Sequence, residues 1–292
     1  MSTTVLRRLV VATVVAAATV GAVTPASAAA KQAPQIVQVT AQTDRLVAPA
    51  AATLRAGVTT FQVSTPDFGG REVGLIQLKP GVQLDNLLTN LATVLHNDDL
   101  AAKKAAGDVV YRDSVLLGGA IVTPRAPQVF SQMLFQGTYY LVDYRSLANP
   151  AATNHYQKIT VGKGFAGCWP TIDHVVLQYQ NDAGEPRFRA PDTLKAGAKL
   201  LIVNLTDQMA DSVFLPVRPG TTDEDINKFF TGQAAPPFIG QPQGALPASS
   251  HYAVHYQADL APGRYVLLSF VGDRETGYPG AARGMFKLID VI

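Results

Sequence analysis

The sequence predicts an all-β protein of two tandem Greek-key β-sandwich domains, each with a helical insertion. Three observations carry that expectation. First, the chain repeats itself: Leu54-Arg55-Ala56-Gly57 returns as Leu194-Lys195-Ala196-Gly197. The apolar run from Val73 to Pro80-Gly81 returns from Val213 to Pro219-Gly220, and Leu134 to Val142 returns as Leu260 to Leu268. Three blocks in one order mark two copies of one unit. Second, short β-rich runs are separated by Gly and Pro turns, the pattern of an antiparallel sandwich. Third, one stretch in each copy changes period from strand-like to helical.

Each element follows from its residues. Ile36-Val37-Gln38-Val39-Thr40-Ala41 alternates apolar and polar, as Val175 to Tyr179 does in part, so both read as first strands. The Leu-x-Ala-Gly turn then leads into strands over Thr59–Ser64 and Lys199–Asn204. Val73–Leu78 and Val213–Val217 are the next strands, each closed by Pro-Gly. Beyond Pro-Gly, Val82, Leu84, Leu87, Leu88, Leu91, Val94 and Leu95 fall at amphipathic-helix spacing, and Leu100 to Gly107 extends or repeats that helix. In the second copy Asp223, Glu224 and Asp225 mark a helix start, with Ile226, Phe229 and Phe230 as its apolar face. Final strands end at Lys158–Val161 and Leu288–Val291.

The first residues read as an export signal. Arg7 and Arg8 precede an apolar core from Leu9 to Val23, and Ala26-Ser27-Ala28 forms a cleavage site. The expected organisation is a signal peptide over 1–28, a first domain over 35–161, a linker over 162–171 and a second domain over 172–292. The expected location is secreted, with no membrane span. The whole chain carries 24 Lys and Arg against 22 Asp and Glu. Cleavage after Ala28 removes Arg7 and Arg8 and no acid, leaving 22 of each. A neutral chain without a basic cluster has no field to attract nucleic acid. The single cysteine, Cys168, forms no disulfide within the chain; it reads as a buried inert thiol, an intermolecular bridge or a reactive site.

With these blocks in order, the chain resembles the cupredoxin-like family of bacterial secreted β-sandwich domains. The resemblance rests on Leu-x-Ala-Gly, on Leu260-Ala261-Pro262-Gly263-Arg264-Tyr265 and on Gly284-Met285, and covers nearly the whole mature chain once per copy. It implies a copper site of an early His, then Cys, His and Met. The cysteine is expected four residues after the tyrosine, where Asp143 and Ser269 stand. Arg71-Glu72 and Asp211-Ser212 occupy the early-histidine position, and Gly277-Tyr278-Pro279-Gly280 contains no late histidine. Met285 stands at the methionine position, with His155 there in the first copy. The expectation is therefore a chain without type-1 copper and without a cofactor.

Of the remaining candidates, His251 and His255 would lie on one strand face roughly 13 Å apart, too far for shared ligation. A remodelled metal site would draw on His251, His255, Met285 or His155. Asp273-Arg274-Glu275, in a loop on a rigid sandwich, is the candidate binding segment. No Gly-x-Ser-x-Gly elbow, His-Glu-x-x-His or phosphate loop is present, so no catalytic residue is assigned. The aromatic residues of neighbouring strands, among them Tyr139 and Tyr265, read as core packing. The leading expectation is a non-enzymatic binding or cell-envelope interaction module with an extracellular or envelope ligand. Its rivals are a copper-handling or redox protein with a remodelled site, and an enzyme with a site between the copies involving Cys168 or His174.

Overall fold

The computed structural model describes residues 35–48, 54–125, 127–149 and 155–292; the predicted signal peptide lies outside them. Copy one contains β1 (Gln35–Ala41), β2 (Leu46–Val47), β3 (Leu54–Ser64), β4 (Arg71–Leu78), α1 (Leu84–His96), α2 (Leu100–Asp113), β5 (Ser114–Val122), β6 (Gln128–Leu134), β7 (Gly137–Asp143) and β8 (Tyr156–Ala166). Copy two contains β9 (His174–Gln180), β10 (Pro186–Arg189), β11 (Thr193–Leu194), β12 (Ala198–Asn204), β13 (Ala210–Pro216), α3 (Asp223–Phe230), β14 (Gln243–Ala248), β15 (Ala253–Ala258), β16 (Gly263–Leu268) and β17 (Phe286–Val291). The all-β class, the duplicated sandwich and the helical insertions are as the sequence predicts. β8 runs on through Ala166, into the stretch expected as linker.

Both sheets continue from one copy into the other. One sheet runs β2-β1-β3-β6-β15-β12-β9-β10, joined between copies by β6 and β15. The other runs β8-β7-β4-β5-β14-β13-β16-β17-β11, joined by β5 and β14. Pairing is antiparallel except for β1–β3, β9–β12, β11–β17 and the β3–β8 contact that links the two sheets. Inside each copy the chain changes sheet after the third, fifth and sixth of the shared strands, the connectivity of a Greek key.

The junction has twofold character. Val58 pairs with Met133, and its counterpart Ala198 pairs with Ala258, so Met133 matches Ala258 and Phe130 matches His255. Across the junction Phe130 faces Tyr256 and Ser131 faces His255. Each pair becomes the other when the copies are exchanged, which is the property of an isologous interface.

Strand pairing corrects the alignment of the copies at one point. The sequence blocks set Val73 beside Val213. In the structure Ile76 lies opposite Tyr140 and Leu215 opposite Val266, so Ile76 matches Leu215 and Val73 matches Ser212. Two glycines agree. A Cβ on Gly119 (φ 152°) would lie 2.2 Å from the Val73 carbonyl oxygen, and one on Gly244 (φ 144°) 2.1 Å from that of Ser212. The Pro-Gly closures keep the register, and the missing residue belongs to the loop before β13. Glu72 and Asp211 are therefore equivalent positions.

Apolar burial is in two layers. Between the sheets Phe61 stacks on Phe130 at 4.8 Å, with Leu75, Leu141, Phe214, Tyr256 and Leu267 buried around them. On the outer face of the second sheet, Leu87 and Leu91 of α1, Val110 of α2 and Ile226 of α3 cover Ile76, Leu116, Val213 and Val266. The caps are local. Asp99 accepts from the amides of Ala101 and Ala102, and Thr222 with Asp225 forms a capping box at α3. The acidic start of α3 is thus accounted for by its helix. The recurring Gly-x-Tyr also has a structural cause: Tyr139 and Tyr265 each donate their hydroxyl to the carbonyl four residues upstream, Phe135 and Ala261, at 3.0 Å. Among the described residues, no helix is long and apolar enough to cross a membrane.

Candidate functional site

The positions that the resemblance assigns to metal ligands do converge in each copy, with other chemistry. In copy one, Asp143 ends β7 opposite Val73 on β4. Its side chain is 1 % exposed and lies 3.3 Å from the Arg71 guanidinium, which also pairs with Asp67 at 2.6 Å. Burial pushes the Asp143 carboxyl up, and the Arg71 charge acts against that shift. Asp143 Oδ1, Arg71 Nε and the Tyr144 hydroxyl are buried without a hydrogen-bond partner. Glu72, half-buried on the opposite face of β4, is also raised by burial, opposed most by Arg145.

In copy two, Asp211 is buried, 6 % exposed. Its Oδ1 accepts from Ser269 Oγ at 2.6 Å and from the amides of Phe270 at 2.9 Å and Val271 at 3.3 Å. Burial lifts its carboxyl to about 6 even against those hydrogen bonds. Met285 lies beside this group: a Cβ on Gly280 would approach Met285 Sδ at 3.3 Å and Ser269 Cβ at 3.4 Å. Met285 matches His155, because the Asp143 amide donates to the His155 carbonyl as the Ser269 amide donates to that of Met285. The positions thus offer carboxylates, a hydroxyl, a guanidinium, one imidazole and one thioether. A thiolate with two imidazoles is what type-1 copper takes, and this set does not fit it.

The other sequence candidates are placed apart from these groups. His251 is not on a strand. It sits in the turn before β15 at φ 64°, where the Tyr252 amide closes back onto the Ser249 carbonyl at 3.1 Å. The expectation that His251 and His255 share a strand face is therefore corrected, because the Ser249–Tyr252 turn interrupts the run. His255 is on β15, 1 % exposed, with Nε2 3.1 Å from the Thr171 carbonyl, and burial lowers its imidazole. It thereby ties down the connector between the copies, in which Cys168 is half-buried. His174 opens β9. Among the described residues, no three His, Cys, Asp or Glu side chains come close enough to enclose a metal ion.

Asp273-Arg274-Glu275 proves to be an organised docking loop. Asp273 is 4 % exposed and accepts from Thr276, Glu275 and Gln208 while pairing with Arg283. Burial works to raise its carboxyl, but hydrogen bonds from Thr276, Gln208 and Arg283 hold it low. Arg274 reaches into copy one, 3.2 Å from Asp108 and 4.3 Å above the Tyr111 ring. The Tyr111 hydroxyl donates to the Asp207 carbonyl at 2.6 Å. On the other side of the junction Gln241 of copy two donates to the Phe68 carbonyl at 3.2 Å. Each copy's ligand-position end is thus braced by the other copy.

Sequence reasoning did not find the Arg71–Asp143 pair, buried Asp211, or the cleft of about 580 Å³ lined by His96 and His155 with Asp85, Thr93 and Leu147. The first two depend on the pairing of β4 with β7 and of β13 with β16. Nothing in the sequence joins His96, at the end of a helix, to His155.

No protein-family model matches the chain, and no curated protein matches it. Solved structures similar to it include a multicopper oxidase, 12% identical over 89% of this chain and 88% of that one, at a TM-score of 0.24. A copper nitrite reductase from Nitrosomonas europaea is 10% identical over 89% of this chain and 94% of that one, also at 0.24. Reduced auracyanin from Roseiflexus castenholzii is 18% identical over 40% of this chain and 94% of its own, again at 0.24. At these TM-scores the likenesses bear no weight, and the fold rests on the strand pairing itself.

Proposed function

We propose that the chain is an exported, non-catalytic binding protein of tandem cupredoxin-like sandwiches without type-1 copper, acting on an extracellular or cell-envelope ligand. The Arg7 to Ala28 pattern supports export, and domains over 35–161 and 172–292 are part of this reading. The observation that carries it is the occupation of the cysteine position. Asp143 is committed to Arg71 in copy one, and Ser269 to Asp211 in copy two. Neither a carboxylate nor a hydroxyl supplies the soft sulfur that type-1 copper requires.

Metal analysis and absorption spectroscopy of the purified protein test the reading. The expected outcome is no intense blue band after addition of copper(II). One copper per domain with such a band would overturn it.

A further inference from the structure

Two histidines of copy one line the same cleft, each with one ring nitrogen already committed. His96, the last residue of α1, holds Nε2 3.1 Å from the Tyr144 carbonyl oxygen. A carbonyl only accepts, so Nε2 carries the proton and Nδ1 of the neutral ring keeps its lone pair. His155, just before β8, holds Nδ1 3.0 Å from Ser146 Oγ. Ser146 donates its own proton to the Asp143 carbonyl at 2.8 Å. Nδ1 of His155 must then be the donor, and its Nε2 keeps the lone pair. Both partners belong to one 3-10 turn, Tyr144–Ala148, so both rings are tied to the same five residues. Among the described residues, neither lone pair receives a hydrogen bond.

Imidazoles whose far nitrogen donates to a carbonyl or hydroxyl are fixed in the tautomer and orientation that metal ligation uses. Neutral imidazole suits zinc and copper(II), and these ions accept water at the positions a protein leaves open. We propose that His96 and His155 hold a borderline divalent transition-metal ion in the cleft between α1 and the turn after β7. It is an open site, completed by water or by a donor from a bound ligand: among the described residues, no third His, Cys, Asp or Glu closes in. Copy two has no counterpart, because Met285 replaces His155 and is buried. The site contains no thiolate, so it gives no intense blue band. It stands or falls separately from the reading above.

The test is zinc titration of the untagged protein by calorimetry, with long-range proton–nitrogen spectra of the five histidines. One zinc ion is expected to bind, with affinity lowered at least about tenfold in His96→Ala and in His155→Ala. Ser146→Ala, which frees the His155 ring, should weaken binding by about 10- to 100-fold. His174→Ala and His251→Ala should leave it unchanged. In the metal-free wild type, His96 should show the Nε2-protonated tautomer and His155 the Nδ1-protonated one. Zinc should then shift His96 Nδ1 and His155 Nε2. This readout needs no variant to fold. Zinc binding that leaves these two nitrogens unmoved, or that disappears in His174→Ala or His251→Ala instead, would overturn the proposal, as would no zinc binding at all.

Discussion

Where β4 meets β7 in copy one, Arg71 and Asp143 lie 3.3 Å apart as opposite charges, and two more groups nearby, His96 and His155, open onto a cleft. At the matching end of copy two, Asp211 pairs with no cation among the described residues and is held by the Ser269 hydroxyl and two backbone amides. One scaffold has thus solved the burial of a carboxyl in two ways. Burial raises the proton affinity of both acids; in copy one the Arg71 guanidinium opposes that shift, whereas in copy two a hydroxyl and two backbone amides oppose it and leave the carboxyl at about 6. The two ends should accordingly respond to different perturbations.

The largest difference is expected on removing the cation. Arg71→Ala leaves the Asp143 carboxyl, 1 % exposed, without its charge partner. Loss of one member of a buried pair costs about 3–5 kcal/mol. Replacing both, in Arg71→Leu with Asp143→Leu, should recover most of that loss, because the one carboxylate then left without its cation, Asp67, is 22 % exposed. Urea denaturation of the two single variants and the double variant measures this. Additive losses would mean that the two side chains are not coupled.

Copy two should reveal itself through pH. The Asp211 carboxyl titrates at about 6 in the folded protein against about 3.9 in an unfolded chain. The folded state therefore binds this proton more tightly than the unfolded state does. The resulting stability is fully present below about pH 4 and is lost as the pH rises through about 6, a change on the order of 2–3 kcal/mol. Asp211→Asn abolishes this contribution, so the difference between variant and wild type should move in the variant's favour from pH 4 to 7. A difference that stays constant over that range would show that Asp211 is ionised with an ordinary proton affinity.

What the sequence discloses of this contrast depends on the range of the signal. Local periodicity, Gly-x-Tyr and Pro-Gly report neighbours a few residues apart, and those elements are found where they are expected. The absence of cysteine at Asp143 and Ser269 is equally visible, because the tyrosine turn counts off the position. The partners of those residues come from strands over fifty residues away. Arg71 and Asp211 become meaningful only when the pairing of β4 with β7 and of β13 with β16 fixes who faces whom. Arg274 shows the same limit: as a charged loop residue it reads as a ligand contact, yet its guanidinium lies over Tyr111 of the other copy.

The smallest effect tests whether that bracing joins the copies energetically. Arg274 and Asp108 are each about half exposed, so their ion pair contributes at most about 1 kcal/mol, and an exposed cation–π contact adds about 0.5–1 kcal/mol. Arg274→Ala should lower stability by about 1 kcal/mol, and the loss should shrink when Tyr111 is already Leu, since the two act on one contact. High salt should remove the Asp108 part and leave the Tyr111 part largely intact. A loss in Arg274→Ala that is the same with Tyr111 and with Leu at that position would place its contribution within its own loop rather than across the junction.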